Sequence, residues 1–234
     1  MAVVFDADFT STSQWVAGRS SSYPRMGPTN RGDHKLDFLS RAYCPDGLFA
    51  ATRRHGGDLW ACNLLTTEGS PEGFQVRTGD SLSAEVTLPV ELGAWPAIWT
   101  WRDGGNEIDV FEYHPDNPDL LEISNHVRGG YRYWHGAEAG IAPGATFGLR
   151  TVFGAHSVDW FVGDTLIHAD RRGVGADWHA YLIVNLSVSD GTYHACPPAH
   201  GPDRLAWTCH GLRVERDAPG DGGSRGEGGS PRRT

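Results

Sequence analysis

The sequence has no apolar run of about 18 residues, the length a membrane-crossing helix needs. It also lacks a Lys/Arg stripe interleaved with aromatics, and its net charge is −9. No nucleic-acid partner is therefore expected. Cysteine is scarce: Cys44, Cys62, Cys196 and Cys209 form no CxxC pair and show no metal-type spacing. Four cysteines allow three pairings, of which Cys196–Cys209 would close only a local loop, and free thiols remain equally open. The eleven histidines are scattered without an HExxH, so no metal and no other cofactor is expected. The opening MAVVFDADFT lacks a basic n-region and is too briefly apolar for a signal peptide, so no export signal is visible. Helical periodicity is missing too, since no stretch sustains it beyond about three turns.

What remains is a chain built for strands. Its 234 residues fit one large all-β domain, and a hydrophobic fraction of 39% suffices for a sizeable core. Nine Trp, nine Phe and seven Tyr, with 31 Gly and 14 Pro to turn the chain, favour strands and loops over helices. In SLSAEVTLP, Leu82, Ala84, Val86 and Leu88 alternate with polar residues, the period of a half-buried strand ended by Pro89. SVDWFVGDTLIH repeats the pattern with Val158, Trp160 and Val162, and its Gly163-Asp164 pair predicts a two-residue hairpin turn. Further strands are expected at 47–53, 96–101, 121–127, 147–153, 180–188 and 212–216. Many short strands separated by turn signals imply an antiparallel sandwich. After Arg216 the sequence becomes DAPGDGGSRGEGGSPRRT, without an apolar anchor, so 1–216 is read as one domain and 217–234 as a disordered tail.

One stretch conflicts with simple burial. Residues 105–114, GNEIDVFEYH, place Glu107, Asp109 and Glu112 among Ile108, Val110 and Phe111. On a strand Glu107 and Asp109 share a face, but strict alternation would send Glu112 to the other side. An extra residue at Val110-Phe111, a β-bulge, brings Glu112 back. Like charges at such spacing repel and raise at least one carboxyl pKa. A pair of carboxyls, one ionised to attack an anomeric carbon and one protonated to donate to the leaving oxygen, is what glycoside hydrolysis requires. The bland alternatives are a solvated acidic face or a calcium site.

The flanks bear on that choice. LGAWPAIWTW stands just upstream, and GAWPAIW followed by NEIDVFEYH closely resembles the active-site strand pair of glycoside hydrolase family 16, the laminarinases, lichenases, agarases and related endo-glycanases. Weaker resemblances at FDADF, LLTTEGSPEGFQVRTGDSLSAEVTLP, VDWFVGDTLIH, YLIVNLSV and HGLRVER extend it over roughly residues 5–216. The resemblance implies a concanavalin A-like jelly roll of two curved antiparallel sheets, with a sugar cleft on the concave face. It further implies a retaining double displacement with Glu107 as nucleophile, Asp109 as its orienting neighbour and Glu112 as general acid/base. The bulged spacing is that of the laminarinase-like branch.

Trp95 and Trp99 fall where the family presents aromatics to sugar rings. Their i, i+4 spacing puts both on one strand face, although core packing would also explain them. His126 would lie on a neighbouring strand close to the acidic row, as a site residue or as a histidine filling a polar core. Where the family often has SGRLTT this chain has ACNLLTT, so the expected Arg is absent, with Asn63 or Leu64 nearby. The resemblance therefore predicts a monomeric endo-glycosidase acting on a β-linked polysaccharide or oligosaccharide, with β-1,3-glucan as first choice. A lectin-like binding module without turnover and a transglycosylase on the same scaffold are the alternatives. The family is usually secreted, which sits awkwardly with the missing export signal.

Overall fold

A computed structural model describes residues 1–55 and 58–217. The disordered tail read from the sequence falls, apart from Asp217, outside the described residues. In chain order the strands are β1 (Ala2–Asp6), β2 (Val16–Ala17), β3 (Asp37–Ser40), β4 (Leu48–Arg53), β5 (Trp60–Thr66) and β6 (Gln75–Arg77). They continue as β7 (Ser81–Thr87), β8 (Ala94–Trp101), β9 (Ile108–Tyr113), β10 (Leu120–Asn125) and β11 (Tyr131–His135). The last five are β12 (Thr146–Phe153), β13 (Val158–Val162), β14 (Thr165–Ala169), β15 (His179–Val188) and β16 (Arg204–Arg216). Among the described residues the only helical segments are three short 3-10 turns.

The strands follow the order β11-β10-β9-β8-β15-β5-β4-β16-β7-β12-β13-β14. β5 joins the two halves: its first residues, Trp60 to Cys62, pair with β4, and its last, Leu64 to Thr66, pair with β15. The ladder thus folds over at β5, giving the expected jelly-roll sandwich of two antiparallel layers. One pairing departs from that expectation, since β3 runs parallel to β5.

Patterning explains the layers. Leu82, Ala84, Val86 and Leu88 are all buried, as their alternation predicts, and Gly163 turns β13 into β14 with a positive φ of 55°. The core lies between the layers. Phe111 of β9 meets Trp207 of β16 edge-on with ring centroids 5.6 Å apart, and the Trp160 indole donates across the sandwich to the Asp109 carbonyl at 2.9 Å. Aromatic pairs of this geometry contribute about 0.5–1.5 kcal/mol beyond the area they bury.

One open reading is settled and one takes a different form. All four cysteines are free; Cys44, Cys62 and Cys209 are buried and Cys196 is exposed. His126 is not on a strand. β10 ends at Asn125, whose side chain accepts the Arg128 N–H and donates to Asp170 and to the Gly173 carbonyl, closing a turn that carries His126.

Candidate active site

The acidic row rests on the predicted bulge. Against β8, Ile98 faces Phe111 while the next residue, Trp99, faces Asp109, so Val110 is the extra residue on β9. Against β10 the same step runs from Glu122 opposite Glu112 to Ser124 opposite Asp109. Ile108, Val110, Phe111 and Tyr113 are all buried on the core side. Glu107, Asp109 and Glu112 therefore emerge together on the opposite face, where they line one cleft of about 1080 Å³. Ala97, the β8 neighbour of Glu112, is small and leaves the carboxyl room.

Two of the acids have side-chain partners. The Trp95 indole donates to Glu112 Oε1 at 2.8 Å. Asp109 is buried, accepts the Ser124 hydroxyl on Oδ2, and has His126 Nε2 3.4 Å from the same oxygen. The backbone N–H of His126 donates to the Glu107 carbonyl at 3.0 Å, tying the turn after β10 to the residue before β9.

Burial and crowding then set the charges. Burial foremost, with the Asp109 charge second, pushes the Glu112 carboxyl up to about 8. The same two causes push Glu107 up to about 7, with His126 and Lys35 pulling the other way. The hydrogen bond to Asp109, with burial opposing it, raises His126 above the usual imidazole range. Burial and crowding thus push both carboxyls toward their neutral forms.

Trp95 and Trp99 both line the cleft, with unequal freedom. Trp95 is partly exposed, and the Lys35 ammonium sits 4.6 Å from its ring centroid. Trp99 is only 8% exposed and donates to Asn185 Oδ1 at 2.7 Å, so most of its ring packs into the floor. Asn185 in turn donates to Ser187, which donates to the fully buried Asp37, so a polar chain fixes the floor from below.

Sequence reasoning missed several lining residues: Trp101, Tyr131, Tyr133, Tyr193 and Lys35. Tyr131 and Tyr133 alternate with Arg132 on β11, and that YRYWH period was the available signal; Tyr193 and Lys35 lie outside any strand and offered none. Ser124 was legible only once β10 was known to face Asp109. Asn63, which stands near the missing family Arg, accepts the Ala50 N–H and donates to the Ala42 carbonyl, a structural role.

No family model matches the chain, and no curated protein matches it in sequence. Solved structures do. The catalytic domain of an endo-1,3-β-glucanase (laminarinase) from Thermotoga petrophila is 18% identical with a TM-score of 0.71, over 91% of this chain and 96% of that one. The chain has the fold of the laminarinases. The laminarinase of Rhodothermus marinus is 21% identical with a TM-score of 0.69, over 92% and 97% of the two chains. An immunostimulatory antigen and pseudo-β-1,3-glucanase of Mycobacterium tuberculosis is 15% identical with a TM-score of 0.68, over 93% and 100%. These likenesses establish fold, and they agree with the resemblance read from the strand pair.

Proposed function

We propose that this protein is a retaining endo-glycosidase that hydrolyses a β-linked polysaccharide, β-1,3-glucan first, with Glu107 as nucleophile and Glu112 as general acid/base. The observation that carries the proposal is the bulged β9, which aims three carboxylates into one cleft walled by Trp95, Trp101, Tyr131, Tyr133 and Tyr193. In the first step an ionised Glu107 attacks the anomeric carbon while Glu112 protonates the departing glycosidic oxygen. The sugar ends bound to Glu107. In the second, Glu112 takes a proton from water, the water displaces Glu107 from the same carbon, and both groups return to their starting states. Asp109, itself held by Ser124 and His126, faces the same cleft and raises the Glu107 pKa through its charge.

A neighbour described as a pseudo-glucanase keeps a binding module without turnover in view, since the fold alone does not select between them. What favours turnover is the pair itself: a binder has no use for two half-buried carboxyls held at such a cost in repulsion. The test is proton NMR of the first product released from laminarin. Retained anomeric configuration is the expected result, and an inverted product would remove Glu107 as nucleophile. Sugar binding without any product would establish the binding module instead.

Trp95 supplies a smaller, separate prediction. Its indole N–H lowers the Glu112 pKa and supports the carboxylate that forms as Glu112 gives up its proton. Trp95→Phe keeps an aromatic wall and loses that donor, so kcat is expected to fall about tenfold, roughly 1.4 kcal/mol. The alkaline limb of the kcat/KM profile should move to higher pH. An unmoved limb would show that the contact does not act on Glu112.

A further inference from the structure

Two histidines that this chemistry leaves idle pack beside Trp95, and one of them, His194, lines the cleft. His114 directly follows β9, is 2% exposed, and has no hydrogen-bond partner on either ring nitrogen. A buried polar atom in that state costs about 1–3 kcal/mol, so an unpartnered imidazole calls for an explanation. His194, on the 189–203 segment between β15 and β16, stacks on it with ring centroids 3.4 Å apart. Asp116, in the turn after β9, accepts the Ala195 N–H on Oδ2 at 2.9 Å and holds Oδ1 3.5 Å from His194 Nδ1. The other nitrogen of that ring, Nε2, is 3.3 Å from Glu122 Oε1.

A carboxylate on one ring nitrogen of a histidine is the usual support where the other nitrogen binds a metal. Glu122 is placed to accept the Nε2–H of His194, which leaves the Nδ1 lone pair facing a carboxylate oxygen. Two lone pairs at that distance repel unless a second proton or a metal cation lies between them. Ligands about 2.0–2.1 Å from one tetrahedral ion stand roughly 3.4 Å apart, close to the 3.5 Å between Asp116 Oδ1 and His194 Nδ1. One ligand atom each from His114, Asp116 and His194 lies within 4.8 Å of the others.

We propose that His114, Asp116 and His194 bind a borderline transition-metal ion, zinc(II) foremost, with a fourth position open to water. Two imidazole nitrogens and one carboxylate oxygen suit zinc and its neighbours, whereas calcium and magnesium take oxygen-only shells. A metal lies in the plane of each imidazole it binds, so binding turns the His114 ring out of its stack. The ion ties the end of β9 to the segment carrying the cleft residue Tyr193. Gly93 lets that segment close down: at φ 90°, a Cβ there would meet the Pro197 ring at 2.3 Å.

The test is calorimetric titration of chelator-stripped protein with zinc chloride and, separately, calcium chloride. One zinc per chain with a micromolar or tighter Kd is expected, no calcium heat, and a higher Tm with zinc present. His194→Ala and Asp116→Asn should each weaken zinc at least tenfold. Asp116→Asn keeps an acceptor for the Ala195 N–H, so the segment stays in place. Glu107→Gln should bind zinc as wild type does. No saturable binding, or unchanged affinity in both variants, overturns the site. Loss of binding in Glu107→Gln overturns it as well, because the ion would then sit on Glu107, Asp109 and His126, which also bring ligand atoms within 4.8 Å of one another.

Discussion

Glu107→Gln is expected to lower kcat on laminarin by at least about 10³-fold, a loss of roughly 4 kcal/mol of transition-state stabilisation, while oligosaccharide still binds. Gln keeps the shape and an acceptor oxygen but cannot form the glycosyl ester. Glu112→Gln should behave differently, retaining cleavage of substrates whose aryl leaving group departs without a proton. Stability supplies an independent readout. The Glu107 pKa is raised from 4.5 to about 7, so its favourable contribution is complete below about pH 4.5 and is lost as pH rises through 7. Wild type therefore carries a half-buried negative charge at pH 8 that the variant lacks. Thermal melting should show the two nearly equal at pH 4.5 and the variant more stable at pH 8, by up to about 3 kcal/mol. Substantial residual hydrolysis would mean that another residue attacks, and a variant less stable at pH 8 would mean that the raised pKa is wrong.

The floor of the site was readable because it obeys a period. An E-x-D-x-x-E string within an apolar strand admits only one way to put three acids on one side, a single extra residue at Val110-Phe111, and that residue is where both neighbouring ladders slip. The alternation in β7 and the Gly-Asp turn between β13 and β14 were equally local. The walls were not readable, because they are made by pairing at long range. Ser124 reaches Asp109 only because β10 pairs with β9 in that register, and Tyr193 reaches the cleft because the 189–203 segment folds against β8. His114 and His194 are far apart in sequence and share no spacing motif, yet their rings stack. Placing His126 on a strand failed for a local reason: the Asn125 side chain closes a turn one residue earlier.

Asp109→Asn should separate the fold's interest in the middle acid from the site's. Asp109 is 4% exposed, and its charge raises the pKa of both Glu107 and Glu112. Asn in its place still accepts the Ser124 hydroxyl, so the loss is of charge rather than shape. Two opposite effects on stability follow. Relief of repulsion helps the variant at alkaline pH, where both glutamates ionise. The pKa of His126, raised mainly by its hydrogen bond to Asp109, contributes stability that is complete below its unfolded value and is lost as pH rises through the folded one, and the variant forfeits this at acid pH. The difference in Tm, variant minus wild type, should therefore climb with pH and be positive at pH 9. Under the proposed mechanism catalysis should move the other way, because there the Asp109 charge adjusts the protonation of Glu107 as the glycosyl ester forms. We expect kcat to fall about 10²-fold, roughly 3 kcal/mol, and both limbs of the pH profile to shift to lower pH as both carboxyls lose their raising charge. Melting curves and kcat on the same preparation decide the matter. An unchanged kcat would refute that role of the charge, and a large loss of stability at pH 9 would assign Asp109 to the fold.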